Sequence, residues 1–275
     1  MRFALIDNNK VEASPQLKAV CPGCNEPVIA KCGDKRMHHW AHRSKHCDPW
    51  WEPETEWHRS WKNKFSVQWQ ESCQRDEKTG ELHIADLRTS DNLVIEFQHS
   101  HIDPKEQKSR EHFYKNMVWV VDGTRLKRDY PRFLKGKNNC FENTIFYNTV
   151  NPKIFRVDLI DWCFPSAWLE SSVPVIFDYL GVGVNDNSPE REPLYCLFPR
   201  RVSGRFSCIA EISRIAFIKS IISGDWTVRA GKLMSDLERE KQLSDAQEKE
   251  QREILGQINR WEYMQSLLTR RRRRF

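Results

Sequence analysis

Blocks of alternating apolar and polar positions define most of the chain's elements. Between Trp50 and Glu71, the residues Trp57, Trp61, Phe65 and Trp69 recur at a spacing of four, the stripe of an amphipathic helix. Glu54, His58 and Lys62 form a neighbouring stripe, which faces water or overhangs whatever packs beside the helix, and Glu56 falls off it. Residues 72–77 and 81–88 read as strands around a Lys78-Thr79-Gly80 turn. A third strand is expected over 92–99, after turn chemistry at Thr89 to Asn92. Asp103 as N-cap, Pro104 at the first helical position and Glu106 as a capping-box partner start a helix that runs to about Asn116. Met117 to Val121 is a buried strand, closed by Asp122-Gly123. The order is helix, three strands, helix, strand: a compact α/β unit.

Further on, 173–184 reads as a strand entering a glycine-rich bend, 185–193 as a loop and 194–201 as another strand. Residues 207–222 are expected to form one amphipathic or buried helix, and 232–269 one long helix. Within that long helix, 238–253 is nearly all polar. Ile254, Ile258, Trp261 and Leu268 then make an apolar seam that suits packing on the body or pairing with a partner helix.

Of the 275 residues, 30% are charged and 39% hydrophobic, and no apolar run approaches the roughly 18 residues of a membrane span. The first residues have an early acid and lack the apolar stretch of a secretory signal, so a cytoplasmic location is expected. There the nine cysteines are reduced or metal-bound. Cys140, Cys163, Cys196 and Cys208 are too dispersed for a metal site and are expected to be core thiols. The net charge of +6 owes most to Arg270 to Arg274, either a solvated tail or an arm that contacts phosphate, and both can hold together. The eleven tryptophans suit packing, with base stacking a use for some of them.

Residues 21–47 read CPGCNEPVIAKCGDKRMHHWAHRSKHC. Cys21 and Cys24 form a C-x-x-C knuckle, and His39 and His42 supply an H-x-x-H pair, a four-ligand set suited to a structural Zn²⁺. So short a segment needs the metal to hold a shape. Cys32, His38, His46 and Cys47 stand near enough to compete, and Cys47 could replace either histidine. The expected set is Cys21, Cys24, His39 and His42.

Asp86 and Glu96 place two carboxylates on neighbouring strands, with Val94, Glu96 and Gln98 sharing a face. Such a pair suits Mg²⁺ or Mn²⁺ and phosphodiester hydrolysis, because the metal neutralises phosphate charge and lowers the pKa of an attacking water.

The ordered set of motifs is more specific than any one member. It comprises C-P-x-C at Cys21 to Cys24, H-W-A-H at His39 to His42 and E-W-H-x-x-W-K at Glu56 to Lys62. It continues with A-D at Ala85-Asp86, E-F-Q-H-S at Glu96 to Ser100 and R-x-x-F-Y at Arg110 to Tyr114. This set resembles the competence protein CoiA-like family, and the element order resembles the PD-(D/E)XK nuclease superfamily, over roughly residues 15–125. The resemblance implies a metal-dependent DNA nuclease fold with Asp86 and Glu96 as the Mg²⁺ ligands. Gln98 stands where many superfamily nucleases carry a lysine beside the attacking water, and the CoiA-like family is similar to this chain in having glutamine there. Water activation would then rest more on the metal. Glu56 is the third acidic candidate, acting through water, with Glu54 competing. His58 and Lys62 are candidates to touch phosphate or to assist protonation of the leaving group.

The expected architecture is therefore an α/β chain. It has a zinc-binding segment over 1–49 and a PD-(D/E)XK nuclease-like core over 50–150. A sheet extension or small α/β lobe follows over 151–230, and a long helix with an arginine tail over 231–275. The expected function is a Mg²⁺-dependent deoxyribonuclease with little sequence specificity, in DNA uptake, recombination or defence against foreign DNA. The alternatives are a non-catalytic DNA-binding partner that uses a nuclease fold as a module, or an interaction subunit of a larger defence complex. The expected partners are DNA and, through the C-terminal helix, a second copy or another protein; no membrane is expected.

Overall fold

The computed structural model describes residues 1–43, 47–77, 79–141, 145–147, 152–200 and 206–272. Among them the strands form two sheets. The first joins β1 (Phe3–Ile6), β2 (Asn9–Glu12), β3 (Lys18–Val20), β4 (Pro27–Lys31) and β5 (His39–His42) in the antiparallel order β2-β1-β3-β4-β5. Its core is small: Ala4, Ala13, Ala19, Cys21, Val28 and Trp40. Three alanines bury little apolar surface, so this sheet needs support from elsewhere.

The second sheet carries the remaining strands. They are β6 (Gln70–Arg75), β7 (Leu82–Arg88), β8 (Val94–Gln98), β9 (Met117–Asp122), β10 (Ile145–Tyr147), β11 (Lys153–Val157), β12 (Val175–Asp178), β13 (Leu194–Leu197) and β14 (Ser207–Ile212). Their order is β10-β11-β14-β13-β12-β9-β8-β7-β6. The β8–β9 and β9–β12 pairs are parallel and the others antiparallel. Strands after residue 150 thus extend the sheet that the earlier strands begin.

Both faces of this sheet are covered. On one, α2 (Pro104–Tyr114) and α3 (Asp129–Cys140) pack through Tyr114, Tyr130 and Phe133 against Val94, Trp119 and Phe177. On the other, α1 (Glu56–Lys62), α4 (Arg214–Ile222) and the start of α5 (Asp225–Arg272) pack through Trp57, Trp61, Phe217 and Trp226 against Ile95, Phe97 and Val120. The Trp57 and Trp61 indoles both donate to Asp178 Oδ2, at 3.0 and 2.8 Å, while Arg214 holds Oδ1 at 2.7 Å. Burial would raise the Asp178 carboxyl, but Arg214 and the two indoles hold it below the usual carboxylate range. One buried carboxylate therefore anchors α1 and α4 to β12.

Several boundaries differ from the expected ones. The tryptophan stripe is kept, but the helix is not: α1 ends at Lys62, Phe65 is buried beyond it, and Trp69 lies in a separate 3₁₀ turn. The expected helix over 207–222 is β14 followed by α4. β14 lies between β11 and β13 and is almost wholly buried, so Cys208, Ile209, Ala210 and Ile212, interrupted by Glu211, show no strict alternation and match a buried helix equally well. Asp103 caps α2 through the Lys105 N–H at 2.7 Å, but Glu106 closes no capping box, because Arg110 draws it along the helix instead. The hairpin between β6 and β7 forms, with Thr79 N donating to Asp76 Oδ1; Lys78 lies outside the described residues.

The long helix starts at Asp225, earlier than expected, and Leu233, Met234 and Leu237 still pack on the body. Ile254, Ile258 and Trp261 are exposed, so the seam does not fold back on the described residues. The side chains of Leu268 and Arg270 to Arg272, and Arg273 and Arg274 altogether, lie outside the described residues. Cys163, Cys196 and Cys208 are buried and Cys140 half-buried, as core thiols. Among the described residues no helix is long and apolar enough to cross a membrane.

Candidate functional site

Two sites lie side by side, joined by the connector from Cys47 to Thr55. In the first, Cys21, Cys24, His42 and Cys47 converge, with all four ligand atoms within 4.8 Å of one another. Cys21 Sγ lies 3.6 Å from Cys47 Sγ, and Cys24 Sγ 3.3 Å from His42 Nε2. A tetrahedron with Zn–S bonds of about 2.3 Å has edges near 3.8 Å, so the spacing suits that ion. Burial and the neighbouring thiols raise Cys47 well above the usual thiol range, and burial raises Cys21, a crowding that a divalent cation would reverse.

The histidine assignment needs correction. His39 and His42 are three residues apart on β5, and side chains that far apart on a strand point to opposite faces. His42 joins the cluster; His39 turns away, its Nδ1 bonded to Met37 O at 2.9 Å. Cys47 takes the fourth place as the chain returns from β5, whereas Cys32 and His38 stay out and His46 lies outside the described residues. Gly23 in the knuckle packs on β7 so closely that a Cβ there would stand 2.4 Å from Leu82 Cδ2.

The second site lies where β7 and β8 part. Their ladder pairs Arg88 with Val94 and Leu87 with Ile95, and then side chains take over. Asp86 N donates to Glu96 Oε1 at 3.3 Å, and Phe97 N donates to Asp86 Oδ2 at 3.0 Å. Through this fork, charges from both helical layers reach the acids. Lys62 on α1 lies 2.9 Å from Asp86 Oδ1, and Arg110 on α2 lies 2.9 Å from Glu96 Oε2.

A cavity of about 70 Å³ opens at the fork. Asp48, Glu52, Glu54, Glu71, Asp86 and Glu96 line it, with the Lys62 and Arg110 side chains as cations beside them. Burial first, and Asp86 second, push the Glu96 carboxyl up to about 8. Burial would raise Asp86 too, but Lys62 keeps it below the usual range. Burial would lower Lys62, yet Asp86, Glu71 and Glu54 hold it protonated. Carboxylates thus outnumber cations at the fork, although Asp86 pairs with Lys62 and Glu96 with Arg110.

The other candidates divide. Glu56 is exposed on the first turn of α1 and misses the cavity. Glu54, in the extended connector before the N-cap Thr55, lines it instead and pairs with Lys62 at 3.2 Å and Arg59 at 2.6 Å. His58 lies at the cavity, but both its nitrogens are engaged. Nδ1 accepts from Thr55 N at 3.3 Å and Nε2 donates to Phe97 O at 2.7 Å, so it ties α1 to β8. Gln98 Nε2 donates to Glu52 Oε1 at 2.8 Å and to Ser100 Oγ at 3.1 Å.

Sequence reasoning missed Glu52, Asp48 and Arg110 as members of the site. Asp48 accepts from Ile84 N on β7 at 2.9 Å, and Arg110 also donates to Trp50 O at 2.7 Å, so the connector is laced to both sides of the fork. Glu71, at φ +49°, accepts the Arg2 and Phe3 N–H groups at 2.6 and 2.9 Å and docks the first sheet against the second. Only Arg110 carried a signal, as the first residue of the R-x-x-F-Y motif.

Fold and sites together define a mixed α/β chain with two sheets, a long C-terminal helix and an N-terminal cysteine–histidine cluster of the kind that binds zinc. Residues 6–49, which hold β2 to β5 of the first sheet and all the cluster's ligands, match the model of the competence protein CoiA N-terminal domain. No curated protein and no solved structure matches the chain.

Proposed function

We propose that the chain is a metal-dependent nuclease that hydrolyses DNA phosphodiester bonds with little sequence preference, in DNA uptake, recombination or defence against foreign DNA. The observation that carries this reading is the fork between β7 and β8, where Asp86 and Glu96 meet at an acid-rich cavity. Asp86 and Glu96 would hold Mg²⁺ or Mn²⁺, with Glu54 near enough to reach it through water. The ion supplies charge neutralisation at the phosphate and a more acidic bound water. The zinc-type cluster fixes the connector that forms the cavity's roof.

Lys62 supplies what Gln98 lacks. Its ammonium stays charged in a buried site and touches Asp86, where it can donate to a phosphate oxygen or orient water. A carboxylate only accepts, so the Gln98 amide nitrogen faces Glu52, and its Oε1 is the end an attacking water would meet. Asp86 keeps 22% of its side chain exposed against 5% for Glu96, so substrate approaches from the Asp86 side.

One observation favours a second reading, a non-catalytic DNA-binding module: each acid already pairs with a buried cation. Incubating the chain with single- and double-stranded DNA and Mg²⁺ or Mn²⁺, beside an Asp86→Ala/Glu96→Ala variant, separates the two. Metal-dependent cleavage lost in the variant supports the nuclease. Cleavage retained by the variant refutes the assigned site, and binding without cleavage favours the module. The exposed seam at Ile254, Ile258 and Trp261 is the proposed contact with a second copy or a partner protein.

A further inference from the structure

A second, larger concavity of about 400 Å³ adjoins the acidic cavity and shares Met1, Trp51, Pro53 and Glu54 with it. Its far wall comes from Arg36 and Met37 in the turn before β5, from His39 at the start of β5, and from Arg59 on α1. This is where His39 goes when strand alternation turns it from the metal cluster. With its Nδ1–H on Met37 O, its Nε2 is left as an acceptor. Arg59 is neutralised by Glu54 and donates to His38 O at 3.1 Å, which holds that turn against α1. Arg36 is exposed, with no partner among the described residues. The groove thus combines a half-buried indole and a thioether with an uncommitted guanidinium, and it runs into the site of Asp86 and Lys62.

Apolar or aromatic surface beside an unpaired cation is how proteins hold a single-stranded base with its phosphate. The volume suits one nucleotide, and a base stacked inside a duplex cannot enter a pocket of this kind without leaving the stack. We propose that this groove takes one unpaired nucleotide of a DNA strand. The base lies against Trp51 and Met37, the phosphate on Arg36, and the neighbouring phosphodiester passes into the acidic cavity. The proposal rests on the nuclease reading above and sharpens it: the substrate is DNA with a single-stranded segment, an overhang or a frayed end.

The test is fluorescence anisotropy on the full chain with Ca²⁺ in place of Mg²⁺, using single-stranded, overhang-bearing and blunt duplex oligonucleotides. Thermal melting and zinc content control for folding. The single strand and the overhang are expected to bind at least about tenfold more tightly than the blunt duplex. Trp51→Ala should weaken single-strand binding by about tenfold or more, and Trp51→Phe should restore most of it. Arg36→Ala should lower the slope of log affinity against log salt by about one. Equal binding of single strand and blunt duplex, or an unweakened Trp51→Ala, overturns the groove and leaves the nuclease reading standing. A folded, zinc-loaded chain that binds no DNA overturns both.

Discussion

Replacing Glu96 with glutamine should change how the chain's stability depends on pH. The Glu96 carboxyl is 4% exposed, and burial together with Asp86 raises its pKa from 4.5 to about 8. The folded chain therefore keeps a proton that the unfolded chain releases. Its contribution to stability is fully present below about pH 4.5 and is lost as the pH rises to about 8. At 1.36 kcal/mol per unit, that loss amounts to roughly 5 kcal/mol across the window. Glutamine resembles the protonated acid but does not titrate. It also sets an amide NH₂ against either Arg110 or the Asp86 N–H, a cost of about 1–3 kcal/mol that pH does not change. At pH 5 the variant should be the less stable, and by pH 8.5 its disadvantage should have vanished or reversed. Urea unfolding at several pH values, without Mg²⁺, measures this. A difference between variant and wild type that stays flat within about 0.5 kcal/mol refutes the reasoning. Millimolar Mg²⁺ should stabilise the wild type more at pH 8 than at pH 5, and should stabilise the variant less than the wild type at pH 8, since one of the two fork carboxylates no longer carries charge.

The remaining predictions concern the scaffold. Cys47→Ser should lose most bound zinc by elemental analysis, whereas His39→Ala should keep it; the reverse would restore the H-x-x-H pair as the ligand set. Asp178→Ala leaves two indoles and Arg214 without their acceptor and should cost about 3–5 kcal/mol in urea unfolding. Gly23→Ala drives a methyl into Leu82 and should destabilise by about 1–3 kcal/mol. Truncation after Lys241 keeps Leu237 in the core and should leave the unfolding midpoint unchanged, while light scattering should show a smaller assembly. A cut at Lys232 would instead remove Leu233, Met234 and Leu237 from their packing.

Local pattern was a good guide wherever one face of an element decides its position. The β6–β7 hairpin, β8, α2 and β9 lie close to where alternation, capping and turn residues place them. It failed where burial is two-sided, as in β14, because side chains buried on both faces, Cys208 to Ala210 and Ile212, leave no clean alternation to read. It overran at α1, where the four-residue spacing to Trp69 outlasts the helix that begins it.

At the sites, residue types and short spacings by themselves supplied the candidates: the Cys21–Cys24 knuckle, a histidine on β5, and acids on two neighbouring strands. Tertiary structure alone decided which members meet. His39 and Cys47 exchange places because β5 is a strand and the chain turns back after it, and Glu54 replaces Glu56 because the connector, not the helix, crosses the cavity. Lys62 and Arg110 reach the acids from opposite layers only because β7 and β8 part. The reason is physical. Periodicity records which face a residue presents, but the partner of that face is set by long-range closure, and no local spacing encodes it.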